Sequence, residues 1–467
     1  MGTLTSLMDL SRQALMADQN ALDVTAANVA NQNTPGYTRQ VVSWQSADAV
    51  TLNGLTYSTG ITSTAVSQRD RILEQRVQQQ TQSQAQSSAL ESALQQVQDI
   101  FGLGSTGTSA SSTALGSATD AFFGSLSALE GNPSDASTRQ GVLTAANTLA
   151  SVFNSAANQL EQVTSALNQQ VGSIVGQINA LTSTVASLNQ QIANKSPDAN
   201  VGALEDQRQL AITQLSQYVG LNQITTEGNG ITLTTSNGAV LVSGSKAFAM
   251  STTQIAGTTH VLAGADATDV TSGVAGGQLG GVLQARDQKL PGYASTLDDL
   301  AYGIGTAINQ QNGLGSDGNG NPGQAIFNLP PTAAGAAALI KVTTGDPAAI
   351  AAAAVGEGSA GNGNAIGMAD LSTANLAGGQ TASGLLASLL GQIGNDTAGA
   401  TAENTAQQAT LTQLTSQRNA LSGVSLDEEA ANLTQYQRSY EAAAKVFSIV
   451  NSIMASALNL GVQTTVS

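Results

Sequence analysis

The chain has 467 residues, more than one compact core usually holds, so two or more structural units are expected. Aromatic residues make up 3% and charged residues 10%, and the formal net charge of −16 opposes binding to a phosphate backbone and leaves no polybasic face for an anionic membrane. Cysteine is absent, which excludes disulfides and thiolate sites, and the Ala, Ser, Thr, Gln and Asn that fill long stretches suit thin helical rods.

The first helix is predicted from about Thr5 to Ala30. Met8, Leu15, Leu22 and Val29 recur every seven residues, with Leu7, Ala14 and Ala21 beside them, so this end requires a helical partner. Asp9 and Arg12 interrupt the first turns, so no cleaved secretory leader is expected, and any export takes another route. Met1 to Ser6 fits a myristoylation pattern, but no basic cluster supplies the second membrane signal that stable anchoring needs. The helix ends in an Asn-rich joint of Asn28, Asn31, Asn33, Pro35, Gly36 and Tyr37, in which Thr34-Pro35-Gly36-Tyr37 has the residues of a type II turn. Strand formers run from Tyr37 to Trp44, and Gly54 and Gly60 punctuate the short strands or loops that follow.

Helical composition returns from Gln68 to Phe101 and breaks at Gly102 to Ser112. Shorter helices are expected at Ala114 to Leu129 and Thr138 to Phe153. Leu167, Val171, Ile174, Ile178, Leu181, Val185, Leu188 and Ile192 then alternate spacings of four and three, which predicts a rod helix ended by Lys195-Ser196-Pro197-Asp198. A helix from Gly202 to Val219 should fold back along it. Between Leu221 and Val282 the alternation of Ile231 to Thr235, the turn Ser236-Asn237-Gly238 and the run Ala239 to Val242 read as a hairpin. Helical spacing resumes at Leu290 to Ile308 and at Leu411 to Leu421. The Gly/Ala-rich stretch between them admits short helices at Ala333 to Ile340, Ala348 to Val355 and Leu385 to Ile393, and Ala348 to Val355 is far too short to span a bilayer.

At the far end Leu426, Leu433, Tyr440, Phe447 and Met454 repeat every seven residues, with Tyr436, Ala443, Val450 and Ala457 between them as the other half of a packing seam. Ser425 and Glu428 have the spacing of a capping box, so Asp427-Glu428-Glu429 reads as a helix start rather than a general acid and base pair. The fold class expected is mainly α, with N- and C-terminal helices paired as a coiled coil and an elongated helical-bundle body carrying a small β-rich insert. Its division is 1–45 with 422–467 as a terminal assembly domain, 46–220 with 283–421 as the body, and 221–282 as the insert.

No active site is legible. His260 has no acidic neighbour in sequence. Gly313 to Gly318 matches a dinucleotide glycine fingerprint but follows a helical pattern, and Asp317 to Asn321 resembles a calcium loop in which Pro322 replaces the turn Gly and Asn328 the bidentate Glu. No cofactor or metal is expected, and the chain is not expected to be an enzyme.

The run Ala27 to Arg39 resembles the N-terminal motif of bacterial flagellar axial proteins. Ser422 to Leu433, followed by Tyr436-Gln437 and Tyr440, narrows this to a close resemblance to the hook-associated protein 1 (FlgK) family. Leu204 to Arg208, Gly280 to Leu283 and Asp317 to Gly320 support it in the same order. The resemblance implies a structural subunit that polymerises at the hook tip and joins hook to filament. Its implied partners are further copies of itself, the hook protein, a second junction protein and a cytoplasmic export chaperone that reads the C-terminal segment. It further implies export unfolded through the flagellar type III channel and a location outside the cell. After Ala325-Ile326-Phe327 the chain passes quickly into Ala-rich sequence, so the family's large outer domain is expected to be reduced or absent. The assembly interface expected is Met8, Leu15, Leu22, Val29, Leu426, Leu433, Tyr436, Tyr440, Phe447, Val450 and Met454. A rod or hook subunit, or a secreted adhesin or hydrolase on helical stalks, remains the alternative.

Overall fold

In a computed structural model of the protein, residues 2–46, 50–52, 55–57, 60–104, 110–195, 201–225, 230–376 and 379–463 are described. Gly54, part of the Gly102 to Ser112 break and the Ser196-Pro197-Asp198 stop lie outside them. The architecture is mainly helical. Helix α1 (Gly2–Ala30) leads through the joint to β1 (Gln40–Ser46), a short hairpin β2 (Val50–Leu52) and β3 (Leu55–Tyr57), and β4 (Ile61–Ser67), which pairs antiparallel with β1 from Gln40↔Ser67 to Ser46↔Ile61. Helix α2 (Arg71–Ile100) starts on Asp70, whose carboxylate accepts from the Ile72 and Leu73 amides as an N-cap.

Helix α3 (Ala114–Gly131) is followed by α4 (Ala136–Ala193), a single helix of 58 residues, about 87 Å at 1.5 Å per residue. The expectation of two helices over this span is corrected. Asn154 to Ala166 contains neither Gly nor Pro, and buried Ala156 and Leu160 carry the apolar stripe from Phe153 to Leu167 without a gap. Helix α5 (Gly202–Tyr218) folds back along α4 as expected.

The insert is two small antiparallel sheets packed on α4. One has the order β5 (Leu221–Thr225), β6 (Ile231–Thr235), β7 (Val240–Ser243) and β8 (Lys246–Ala247), and the other places β10 (Thr258–Ala263) between β9 (Ser251–Ile255) and β11 (Thr268–Asp269). Helix α6 (Gly277–Gln284) runs through a π-helical turn at Ala285–Lys289 into α7 (Leu290–Gly313). A Cβ on Gly281 would stand 2.3 Å from the Gln86 carbonyl oxygen, so α6 crosses α2 closely enough that only glycine fits.

The Gly/Ala-rich stretch forms two-stranded ladders, β12 (Gly315–Ser316) with β15 (Ala353–Ala354) and β13 (Phe327–Asn328) with β14 (Lys341–Val342), plus the short helices α8 (Ala336–Leu339) and α9 (Gly363–Asp370). The helix expected at Ala348 to Val355 is absent: Asp346 caps one 3-10 turn at Pro347–Ala349, and the chain then extends into β15. Helix α10 (Ala382–Ser422) unites the segments expected separately at Leu385 to Ile393 and Leu411 to Leu421, and α11 (Leu426–Gln463) closes the chain.

One apolar core runs from Leu94 through α3, α4, the insert and α7 to Ala400. Beyond it α2 and α10 continue side by side, joined largely by amides and hydroxyls. Gln84 Nε2 donates to Asn404 Oδ1 at 3.2 Å, and Glu91 accepts from Thr401 Oγ1 at 2.8 Å and Asn404 Nδ2 at 2.6 Å. A small cluster of Leu73, Val77 and Leu414 closes this pair near the terminal helices.

Candidate assembly site

The two ends of the chain meet as expected: α1 lies along α11 with the β1–β4 ribbon on its flank. The seam has a different composition from the one the heptads predict. On α1 the buried face is Ser11, Ala17, Asp18, Ala21, Val24, Thr25 and Asn28. Met8, Leu15 and Leu22 sit half-buried at its edge, and Val29 is 45% exposed. On α11 the inward positions are Glu429, Tyr436, Phe447, Val450 and Met454, of which Glu429 and Val450 are buried. Leu426, Leu433 and Tyr440, which the heptad reading put in the same stripe, are exposed. The physical reason is that small and polar residues on α1 allow close approach of backbones, and the joint fixes the rotation of both helices. Trp44 of β1 packs on Tyr436 with ring centroids 6.2 Å apart, completing the inner layer.

The larger side chains left outside form two stripes on α11. Leu426, Leu433 and Tyr440 flank the seam on one side, and Val446, Ile449 and Ile453 on the other, each at least 37% exposed. Leu7, Leu10 and Met16 on α1 are likewise exposed. Among the described residues, one stretch within Ala382–Leu458 is apolar and long enough by composition to cross a membrane, and 6% of that window is buried.

The joint is a buried polar latch. The turn at Thr34–Tyr37 closes with the Tyr37 amide donating to the Thr34 carbonyl at 3.1 Å, and Gly36 takes the positive φ of 80° that the turn demands. Asn31 and Thr34 bond within the turn, and Asn33 and Pro35 are exposed. Asn28, 1% exposed, uses its whole amide: Nδ2 donates to the Gln40 carbonyl at 2.8 Å and to Glu429 at 3.2 Å, while Oδ1 accepts from the Gln40 amide and the Tyr37 hydroxyl, both at 2.9 Å. Arg39 then bridges the two ends, donating from Nε to Glu429 at 2.7 Å and from a terminal nitrogen to Glu428 at 2.5 Å. Glu428 and Glu429 thus go across to the joint, which corrects the expected capping box, although all three acids do lie in the first turn of α11. The Arg39 amide also donates to the Ser422 carbonyl at 2.9 Å.

A second layer ties this latch to the body. Asp206 of α5 accepts from the Thr38 amide at 3.1 Å and from Arg69, which also reaches Thr38 Oγ1 at 3.3 Å. Burial raises the Asp206 carboxyl above its ordinary range despite the Thr38 and Arg69 contacts. Burial, reinforced by the charges of Asp206 and Glu429, pushes the Tyr37 phenol up to about 12, so it stays a neutral donor to Asn28 across the physiological range. Asp206, Arg69, Arg39 and Gln40 were absent from the residues predicted for the joint; only the position of Arg39 at the motif's end and of Asp206 in Leu204 to Arg208 hinted at them.

Elsewhere the structure gives His260 an acidic partner, Asp269, at 2.7 Å from Nδ1, nine residues on in sequence. Asp269 is committed to the turn, its other oxygen accepting from the Thr271 amide and hydroxyl at 2.9 and 2.6 Å. The Asp317 carboxylate accepts from the amides of Asn319 and Asn321, both at 2.8 Å, and so braces its own loop. No group of three or more potential metal ligands occurs among the described residues.

Comparison with known proteins agrees with this layout. The model of the flagellar hook-associated protein FlgK helical domain matches residues 94–327, the flagella basal body rod protein model matches residues 8–38, and the flagellar basal body rod FlgEFG C-terminal model matches residues 416–460. Flagellar hook-associated protein 1 of Escherichia coli K12 is 27% identical over 561 aligned positions, covering 98% of this chain and 100% of that protein. The Bacillus subtilis 168 protein of the same name is 29% identical, covering 97% of each. The structure of the flagellar hook junction protein FlgK from Burkholderia pseudomallei superposes with a TM-score of 0.68 at 19% identity, over 74% of this chain and all of that one. With a helical-domain match over half its length between two rod-type termini, the chain belongs to the flagellar hook-associated protein FlgK family.

Proposed function

We propose that this protein polymerises at the tip of the flagellar hook and joins hook to filament, with the α1–α11 pair as its assembly surface. The observation that carries this reading is the pair's outer surface: apolar stripes of Leu426, Leu433 and Tyr440 and of Val446, Ile449 and Ile453 flank a seam already closed within the chain. Surfaces of this kind mark protein contacts, and because these side chains are already about half covered, burying the remainder gains half of the ~1.5–3 kcal/mol that a fully exposed one would. The same stripes account for the membrane-like hydropathy of this stretch, because neighbouring subunits would bury them as a bilayer would. Copies of this chain, the hook protein and a second junction protein are the contacts envisaged.

Export unfolded through the flagellar type III channel, with a chaperone on the C-terminal segment, accords with the absence of cysteine and places the assembled protein outside the cell. The role is structural, not enzymatic: each ionisable group near His260 is engaged in holding a turn or an element. Reduction of the outer domain is supported by the length of the Escherichia coli alignment, 561 positions against 467 residues here. A rod or hook subunit is disfavoured by the match of the FlgK helical domain to residues 94–327.

The experiment is complementation. Cells lacking the protein should build hooks and release unpolymerised filament subunits into the medium. The double variant Leu433→Asp/Ile449→Asp, altered only at exposed positions, should keep the body folded by circular dichroism yet fail to restore attached filaments. Normal swimming with that variant would refute the assembly-surface reading.

A further inference from the structure

Helix α10 is held in two unlike ways along its length. Up to Ala400 it belongs to the core, burying Leu386, Leu389, Leu390 and Ile393. Asp396 pins this part to the π-helical turn and α7, its carboxylate accepting from Lys289 Nζ at 2.8 Å and from the hydroxyl of fully buried Tyr293 at 2.7 Å. Beyond Ala400 no residue of α10 is buried until Leu414, about 21 Å further along the helix at 1.5 Å per residue. Over that distance α2 holds it by polar bonds: Gln80 Nε2 donates to the Gln407 carbonyl at 2.9 Å, Ser87 Oγ donates to Asn404 Oδ1 at 3.5 Å, and Glu91 accepts from Thr401 and Asn404. Such bonds exchange for bonds to water at small net cost. Helix α2 is not the partner that yields, because its other side is fixed to the body: Gln82 donates to the Leu221 carbonyl at 3.2 Å, Gln86 accepts from the Gly276 amide at 3.0 Å, and Gly281 crosses it closely.

The pivot is marked in the helix itself. Gly394 and Gly399 stand on either side of Asp396, and a Cβ on either would meet nothing within 4 Å, so no close approach requires glycine there, and each makes the helix easier to bend. The hydroxyls of Thr397, Thr405, Thr410 and Thr412 donate to the carbonyls four residues back at 2.8 to 3.0 Å, an arrangement that weakens and bends helices. At its far end the Ser422 carbonyl accepts from the Arg39 amide, so the joint and the terminal pair travel with α10. The contacts such a movement parts are the small Leu73, Val77 and Leu414 cluster, the packing of Gly36 on Leu210 and the bond of the Thr38 amide to Asp206.

We propose that residues 400–422 of α10 form a lever that swings off α2 about Asp396, displacing the terminal pair relative to the body while the core stays closed. The proposal rests on the reading that the terminal pair is held in the assembly, and it assigns the lever the task of taking up mismatch between unlike neighbours. The Leu73, Val77 and Leu414 cluster sets the closed position, and the polar ladder is released and remade without exposing apolar surface.

The chain has no cysteine, so spin labels can be placed singly on the full-length free subunit. Nitroxides at exposed Gln79 and Gln408, beside the Gln80–Gln407 contact, should report a short separation together with a longer one. Leu414→Ala should raise the share of the longer separation about threefold with α4 amide protection unchanged, and Gly394→Ala/Gly399→Ala should lower it by a similar factor. A single short separation in both the wild type and Leu414→Ala, shares unmoved by the two glycine substitutions, or loss of α4 protection in Leu414→Ala would overturn the lever. Its use in assembly is tested by Ser87→Cys/Asn404→Cys, which should keep filaments attached in reducing medium and release them when a thiol oxidant closes the bridge; equally firm attachment in both would overturn that role. The spectroscopic readout needs no assembly, so its failure is separable from a failure of the Leu433→Asp/Ile449→Asp complementation, which bears on the proposed function alone.

Discussion

At the scale of single residues, the arrangement is a polar latch in which local bonds of Asn28 to Tyr37 and Gln40 are joined to bonds from Asn28 and Arg39 across to the acids of α11. Glu429 is 1% exposed and in contact with Arg39, whose side chain is 14% exposed. A buried pair of this sort adds modest net stability when intact, but removing one partner strands a charge and typically costs about 3–5 kcal/mol. Arg39→Met should therefore destabilise the latch by about that amount, read as faster exchange of the Thr38 and Gln40 amides, which donate to Asp206 and Asn28 rather than to backbone. The double variant Arg39→Met/Glu429→Leu should recover much of the loss, since the stranded charge is gone. The sequence marked Asn28 and Tyr37 as special through their neighbours Pro35 and Gly36, which announce the turn. Their partners were not legible, because Asn28 and Glu429 are 401 residues apart and no local pattern pairs them.

At the scale of elements, legibility follows how locally each element is determined. The α4 stripe from Leu167 to Ile192 repeats every three or four residues and needs no context, whereas between Phe153 and Leu167 the buried positions are Ala156 and Leu160, too sparse to announce that the two predicted helices are one. Helix α10 lacks such a stripe between Gly394 and Gln408, and amide contacts from α2 maintain it there. The Ala348 to Val355 segment has helix-forming composition, yet Pro347 and the extended pairing of Ala353–Ala354 with Gly315–Ser316 override it. Glycines separate by the same logic of context. Gly281→Ala must push its Cβ against the Gln86 backbone and should destabilise the α2–α6 crossing by about 1–3 kcal/mol. Gly172→Ala, on an exposed face of α4 with nothing within 4 Å, should instead stabilise by about 0.5–1 kcal/mol. Urea midpoints of the two variants should move in opposite directions; a parallel shift would mean that the crossing can yield.

At the scale of the whole molecule, stability is unevenly distributed, and the distribution matches the division of labour. The body buries one continuous core from Leu94 to Ala400, while the α1–α11 pair buries only a thin seam, small and polar on α1 and fully buried on α11 at Glu429 and Val450 among the described residues. An isolated helix pair with most of its large apolar residues outside is marginal in water, so its opening free energy should be far below that of α4. Chymotrypsin makes this measurable because no aromatic of the body is exposed among the described residues: Phe122, Phe153, Tyr293 and Phe327 are each 1% exposed or less, and Tyr218, Phe248 and Tyr302 are half-buried. Among the described residues with large side chains exposed, the aromatic ones are Trp44 and Tyr440, at 42% and 38%, both in the terminal region. Brief digestion of the free subunit should therefore cut first at Tyr440, Phe447 and Trp44 and leave a resistant fragment containing residues 71–422. In assembled junctions the same sites should be protected, because the stripes around Tyr440 are then covered. First cuts inside α3, α4 or α7 would place the weak point in the body and remove the basis for terminal ordering on assembly.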